Sequence, residues 1–179
     1  DPGGDADEIL MAIEAMELKV RYIFDTHGHA DHVAANAAVR EATGATLYIH
    51  AADREMIESP DAMAVMIAGG LAGCAPDATY GEGDEIEVGG LTVRVMHTPG
   101  HTLGGVCLCV GDDVFTGDTL FAGSVGRTDF PGGSWETLSD SLRRLLDELD
   151  PATRIHPGHG PSSAMAEEAL SNPFLAELA

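Results

Sequence analysis

Apolar positions change their period along the chain, and each change marks an element. Ile9, Leu10, Ile13, Met16 and Leu18 recur at helical spacing behind the carboxylates of Asp5, Asp7 and Glu8, which suit a helix start. Val20 to Phe24 reads as a short strand that ends in Asp25-Thr26 and a histidine-rich loop. A second helical pattern runs from about His32 to Ala42 and stops at Gly44, a natural C-cap. Thr46 to Ile49 predicts another strand, and helices are expected over Ala51 to Glu58 and Met63 to Ala68, broken at Ser59-Pro60 and Gly69-Gly70.

After Pro76 the period becomes two. Glu85 to Val88 and Leu91 to Val95 flank Gly89-Gly90, and Val106 to Val110 and Val114-Phe115 flank Gly111-Asp112-Asp113, so two hairpins are predicted. Ser134 to Leu149 is helical, with Leu138, Leu142, Leu145, Leu146 and Leu149 on one stripe, and Thr153 to Ile155 is a last short strand. Strands alternating with helices, then hairpins, predict an α/β or α+β sandwich. No repeat or long linker divides the sequence, so residues 1–179 read as one domain.

Composition narrows the choice. The chain has 179 residues, 44% of them apolar, which is enough for a packed core. Nine basic residues against 30 acidic ones give a net charge of −21, a field that repels phosphate backbones and anionic lipid, so neither nucleic acid nor a membrane surface is an expected partner. One lysine among so many carboxylates is also the composition of proteins adapted to concentrated salt. The longest weakly polar stretch, Ala62 to Ala75, falls short of the ~20 residues a membrane span needs. Its core, Met63 to Cys74, is expected to form a mobile flap or a subunit contact near the site. No basic segment followed by an apolar one opens the sequence, so a cytoplasmic protein, monomer or homodimer, is expected. Cys74, Cys107 and Cys109 form neither a disulfide framework nor a metal knuckle, and are read as small buried hydrophobes.

The eight histidines carry the chemistry. His27, His29, Asp31 and His32 fall within six residues, between a predicted strand and a predicted helix, with Gly28 and Ala30 leaving room for the backbone to pack closely. Imidazoles with a carboxylate suit zinc, iron or manganese. His101 follows His97-Thr98-Pro99-Gly100, Asp118 lies in Gly117-Asp118-Thr119, and His159 lies in Pro157-Gly158-His159-Gly160. Each is a glycine- or proline-rich turn at a strand end holding one ligand-type side chain. Seven candidate ligands are too many for one tetrahedral ion and suit two ions sharing a carboxylate. His97 and His156 are read as turn braces and His50 as structural.

With these four motifs in this order, the sequence resembles the metallo-β-lactamase-fold hydrolases. The resemblance implies a four-layer αβ/βα sandwich, an α+β fold, with two divalent ions in a cleft at one edge. It assigns His27, His29 and His101 to one ion and Asp31, His32 and His159 to the other, with Asp118 and a hydroxide bridging them. Gly123 to Gly133 and Asn172-Pro173-Phe174-Leu175 are similar to short glyoxalase II-like members, which implies thioester hydrolysis by that hydroxide, with Asp31 orienting it. Arg127 lies in the loop that in related hydrolases approaches the thiol part of the substrate, and is the candidate for a substrate carboxylate, the alternative being a buried arginine that pairs with Asp129 or a backbone carbonyl. Glyoxalases II carry a further C-terminal helical domain that helps hold glutathione; here about 20 residues follow His159, and none is expected. Asp1-Pro2-Gly3-Gly4 resembles the end of an early strand, so the first strands of the fold are expected to be missing from this sequence. Three alternatives use the same motifs, one of them a metal-binding protein without catalysis or a nuclease, the nuclease disfavoured by the charge of −21 and the lack of a basic stripe. In a persulfide dioxygenase a single iron sits on His27, His101 and Asp118; a β-lactamase is disfavoured because Asp118 stands where those enzymes place a cysteine.

Overall fold

A computed structural model describes residues 1–178, which divide into two compact units, Asp1–Tyr80 and the chain from Gly81 onward. The first unit contains α1 (Ala6–Ala15), β1 (Tyr22–Phe24), α2 (Ala30–Val33), α3 (Asn36–Thr43), β2 (Thr46–His50), a 3-10 turn over Ala51–Asp53, α4 (Arg54–Glu58), α5 (Ala62–Ile67) and β3 (Ala78–Tyr80). Its sheet is parallel, in the order β1-β2-β3, with Phe24 opposite Tyr48 and Tyr48 opposite Ala78. Alternation along the strands sorts the side chains. Ile23, Leu47 and Ile49 join Val33, Val39 and Ile57 in a core against which Ile9 and Ile13 of α1 pack. On the opposite face Phe24, Tyr48 and Tyr80 form an aromatic row, with centroids 5.6 Å and 6.2 Å apart.

The helix expected from His32 to Ala42 is two helices. Ala35 N–H donates to the Pro2 carbonyl at 2.9 Å instead of continuing the helical ladder, and the chain restarts as α3 at Asn36. The break lets α2 carry Asp31 and His32 in its own direction. The Met63–Cys74 segment also departs from a simple flap. Met63 and Met66 of α5 are exposed, but Leu71 and Cys74 return to the core of this unit.

The second unit contains β4 (Glu85–Val88), β5 (Leu91–His97), β6 (Val106–Val110), β7 (Asp113–Gly117), β8 (Leu120–Phe121), β9 (Ser124–Val125), α6 (Trp135–Glu148), β10 (Arg154–Pro157), β11 (Ser163–Ala164), α7 (Met165–Ser171) and α8 (Pro173–Ala176). Six strands form one sheet in the order β11-β10-β7-β6-β5-β4, antiparallel except for the β7–β10 pair, whose crossover contains α6. β8 and β9 form a separate hairpin. Ser134 caps α6 by accepting from Thr137 N. The leucine stripe behaves as its spacing predicts: Leu138, Leu142 and Leu145 are fully buried against Met96, Val114 and Ile155, with Leu146 and Leu149 at the margin. Cys107 and Cys109 lie in the same core, and burial pushes the Cys107 thiol up to about 12. In each unit helices cover a sheet, the layering of an α+β sandwich.

Arg144 on α6 ties the start of this sheet down. Its guanidinium donates to Glu82, Glu148 and the His97 carbonyl, and Glu82 also accepts from His97 N at 2.8 Å. These donors hold the Glu82 carboxyl down at about 2, Arg144 contributing most. A carboxyl depressed in the folded state stabilises the protein fully above its ordinary value near 4.5 and loses that contribution as pH falls toward 2. Glu82→Gln should therefore lower the melting temperature at pH 6 and match the unsubstituted protein near pH 2. Because the pair is half-exposed, the difference should stay at or below about 1 kcal/mol. A deficit that persists unchanged at pH 2 would show that Glu82 acts through packing.

Candidate metal centre

The parallel strand β1 releases the first group of candidate ligands at its carboxyl end, where open α/β sheets present their sites. His27 is buried, and its ring lies 4.9 Å from that of His29 and 4.1 Å from that of His32. The loop is compressed against its surroundings. A Cβ on Gly28 would meet Met56 Cβ at 2.7 Å, and one on Gly3 would meet the Asp31 carbonyl at 2.1 Å. Buried Asp53 accepts the Gly28 N–H at 3.1 Å.

One carboxylate fixes the tautomers of two of these histidines. Asp1 accepts from Thr26 N at 2.5 Å and from the Thr26 hydroxyl at 2.7 Å, and its Oδ2 lies 3.1 Å from His32 Nδ1. A carboxylate only accepts, so His32 carries its proton on Nδ1. The Thr26 hydroxyl gives its single proton to Asp1 and must accept from His27 Nδ1, 3.1 Å away. Both imidazoles therefore present an Nε2 lone pair, the arrangement by which a carboxylate behind a histidine prepares it for a metal. The ligand-type atoms of Asp1, His27 and His32 lie within 4.8 Å of one another. The oxygens of Asp1 serve these hydrogen bonds, which makes it a support of both imidazoles. His32 Nε2 is 3.9 Å from Oδ2 of Asp31, whose side chain is half-exposed.

Behind the loop lies a second buried carboxyl. Asp25 accepts from Asn36 Nδ2 at 2.6 Å, and its backbone carbonyl accepts from the Tyr80 hydroxyl. Its Oδ1 and the Asn36 Oδ1 are buried without a partner among the described residues. Burial raises this carboxyl to about 7, against the favourable charges and the Asn36 bond that pull the other way.

In the second unit His101, Asp118 and His159 lie at loops that follow β5, β7 and β10. His101 Nδ1 is 2.7 Å from the Arg127 carbonyl, so it donates there and turns Nε2 toward Asp118 Oδ2 at 3.5 Å. His159 Nε2 approaches the same Asp118 oxygen at 3.6 Å. Gly126 makes this possible, since a Cβ there would fall 1.8 Å from the Asp118 carbonyl and 3.2 Å from His101 Cγ. The loop is anchored from beneath by Glu168 and Asn172, both buried. Glu168 accepts from Gly123 N at 2.8 Å, and Asn172 donates to the carbonyls of Phe121 and Ser124. This explains why Asn172-Pro173-Phe174-Leu175 accompanies the loop motif.

The donor set fits divalent ions. Two ligand atoms on one tetrahedral zinc, each bonded at ~2.0–2.1 Å, lie about 3.3 Å apart. The separations of 3.5 Å and 3.6 Å at Asp118 are near that value and too long for strong hydrogen bonds. One Asp118 oxygen thus faces two imidazole nitrogens. These His/Asp clusters are suited to divalent metals.

Arg127 contributes its carbonyl to His101, while its guanidinium pairs with both oxygens of Asp129 at 2.6 Å and lies 3.9 Å over the Phe130 ring. The remaining histidines brace turns. His97 Nε2 is 3.0 Å from the Leu103 carbonyl, His156 bridges Ser162 and Asp113, and His50 accepts from Ala52 N. The sequence reading missed Asp1 and Asp53 as supports of the loop. Asp1 was legible only as the end of a strand, and Asp53 lies in a segment whose period announces a helix.

Comparison with known proteins agrees with this geometry. The family model of the metallo-beta-lactamase superfamily matches residues 1–162. The hydroxyacylglutathione hydrolase GloC of Haemophilus influenzae is 35% identical over 180 residues, covering 98% of this chain and 85% of the relative. Among solved structures, the BLEG-1 B3 metallo-beta-lactamase superposes with a TM-score of 0.91 at 33% identity, over 98% of this chain and 86% of its own. TTHA1623 in a di-iron-bound form superposes at 0.88 with 40% identity, over 98% and 87%. With the family model spanning most of the sequence and the histidine motifs at its strand ends, the chain belongs to the metallo-beta-lactamase superfamily.

Proposed function

We propose that this protein is a thioester hydrolase of the glyoxalase II type that works with two divalent ions, zinc in the first instance, with iron or manganese also suited to the His/Asp donors. His27, His29 and His101 would hold one ion, Asp31, His32 and His159 the other, and Asp118 both. The observation that carries the reading is the Asp118 oxygen between His101 Nε2 and His159 Nε2. When bound, such a pair of ions lowers the pKa of a shared water to about 7 and polarises a carbonyl.

The chain's own groups then have defined tasks. Asp1, through Thr26, and the Arg127 carbonyl hold the imidazoles in the ligating tautomer. Asp31 accepts the proton side of the nucleophile and orients its lone pair toward the carbonyl. Arg127, steadied by Asp129 and Phe130, is the cation we assign to a substrate carboxylate. No general acid is needed for the departing group, because a thiol with pKa ~8.5 leaves as the thiolate. Three buried free cysteines suit a reducing compartment, which favours the cytoplasm. A small-molecule partner fits the charge of −21 better than nucleic acid or membrane.

Elemental analysis of protein purified without chelators, paired with hydrolysis of S-lactoylglutathione, tests the reading. Two ions per chain and turnover that disappears on chelation and returns with metal are expected. One iron per chain, with oxygen consumed in the presence of glutathione persulfide, would replace it with an oxidoreductase.

A further inference from the structure

We propose that α5 and Met56 form an apolar wall of the active site that recognises an uncharged, apolar group on the thioester substrate. This deepens the hydrolase reading and rests on it. The six residues of α5, Ala62–Ile67, include no polar side chain, yet Met63 is 59% and Met66 73% exposed, with Val65 also at the surface. In a chain of net charge −21, such a patch calls for an apolar ligand.

Its position supplies the occupant. The backbone of α5 runs within 8 Å of α2, the short helix that carries Asp31 and His32. Met56, half-buried on α4, lies directly against Gly28, its Cβ and Sδ 2.7 Å and 3.1 Å from where a Gly28 side chain would begin. Methionines thus flank the histidine loop at Gly28 and continue on the helix beside Asp31. The projection is built in, not frayed. Asp61 caps α5 by accepting from Ala64 N, Gly69 and Gly70 turn the chain back with positive φ, and Cys74 N donates to the Ile57 carbonyl at 2.8 Å. Gly73 packs so tightly on the Glu58 carbonyl that a Cβ would fall 2.5 Å from it. An unbranched, polarisable methionine surface accommodates apolar groups of varied shape, which suits an acyl or thiol chain and not a charged one.

The test compares acetyl and hexanoyl thioesters of N-acetylcysteamine on the metal-loaded protein and its Met63→Ser/Met66→Ser variant. Binding of the thioether S-hexyl-N-acetylcysteamine is followed by calorimetry in parallel. The hexanoyl-to-acetyl ratio of kcat/KM should fall on the order of 10-fold in the variant, the discrimination that a few methylenes provide in an apolar pocket. Met63→Leu/Met66→Leu should restore it, and thioether affinity should follow the same order. An unchanged ratio with unchanged thioether affinity overturns the wall, as does a dimer in light scattering that the serine variant converts to monomer. If no thioester is turned over but thioether affinity still falls in the variant, the wall stands and the hydrolase reading fails.

Discussion

Replacing Asp31 with alanine should halve the metal content and lower turnover at least ~10²-fold while leaving the fold intact. The side chain is half-exposed at the start of the four-residue helix α2, and its Oδ2 is 3.9 Å from His32 Nε2. Removing it costs little packing, because its neighbours reach the core through Ala30 and Val33. What disappears is one ligand of the ion assigned to His32 and His159, together with the acceptor that orients the nucleophile. The loss of one well-placed electrostatic group typically costs ~10²–10³ in rate, and a weakened second ion adds to it. His27, His29 and His101 are untouched, so one ion per chain should remain by elemental analysis. Asp31→Asn separates the two roles, since an amide oxygen can still ligate weakly but carries no charge. Near-normal turnover of S-lactoylglutathione by Asp31→Ala would eliminate the two-ion hydrolase and favour the single-iron oxidoreductase, which uses only His27, His101 and Asp118.

The candidate site was legible in the sequence because metal chemistry restricts residue type so strongly. Three histidines and an aspartate in six residues have no packing explanation, and glycine-rich turns after apolar runs place the other three candidates at strand ends. Long periodic elements were equally legible. The α6 stripe and both hairpins of the larger sheet follow from spacing alone. The failures are of another kind. β3, β8, β9 and β11 are two or three residues long, too short for any period to announce them, and β3 also owes its pairing to β2, 30 residues earlier. The split between α2 and α3 depends on Ala35 N–H reaching the Pro2 carbonyl, a contact 33 residues away. Asp1 escaped notice for the same reason. Its role as the carboxylate behind His27 and His32 exists only once the loop has folded against it. Arg127 is instructive in the opposite sense. The sequence marks it as a scarce cation, and the structure adds that its carbonyl, which any residue would supply, fixes His101.

That backbone contact sets up the most severe substitution in the second unit, Gly126→Ala. The φ of Gly126 is not in the left-handed region, so the residue is not required for its conformational freedom. It is required for space. A methyl would fall 1.8 Å from the Asp118 carbonyl oxygen and 2.9 Å from its carbon, backbone atoms that cannot yield as the end of a flexible side chain would. The 126–127 segment or the Asp118 backbone must therefore retreat, moving the Arg127 carbonyl from His101 Nδ1 or the Asp118 carboxylate from the His101 and His159 rings it faces. Overpacking of this kind costs about 3 kcal/mol, and loss of a bond that orients a metal-binding histidine lowers affinity ~10- to 100-fold. Gly123→Ala is the matched control three residues away. Gly123 has φ +69 with nothing within 4 Å of a built Cβ, so alanine there should cost about 1 kcal/mol of left-handed strain and leave metal affinity alone. Urea unfolding of the metal-free proteins reads the first effect and competition with a chromophoric chelator reads the second. Should Gly126→Ala bind metal as tightly as Gly123→Ala, the Arg127 carbonyl does not set the orientation of His101, and the histidine is held by its own loop.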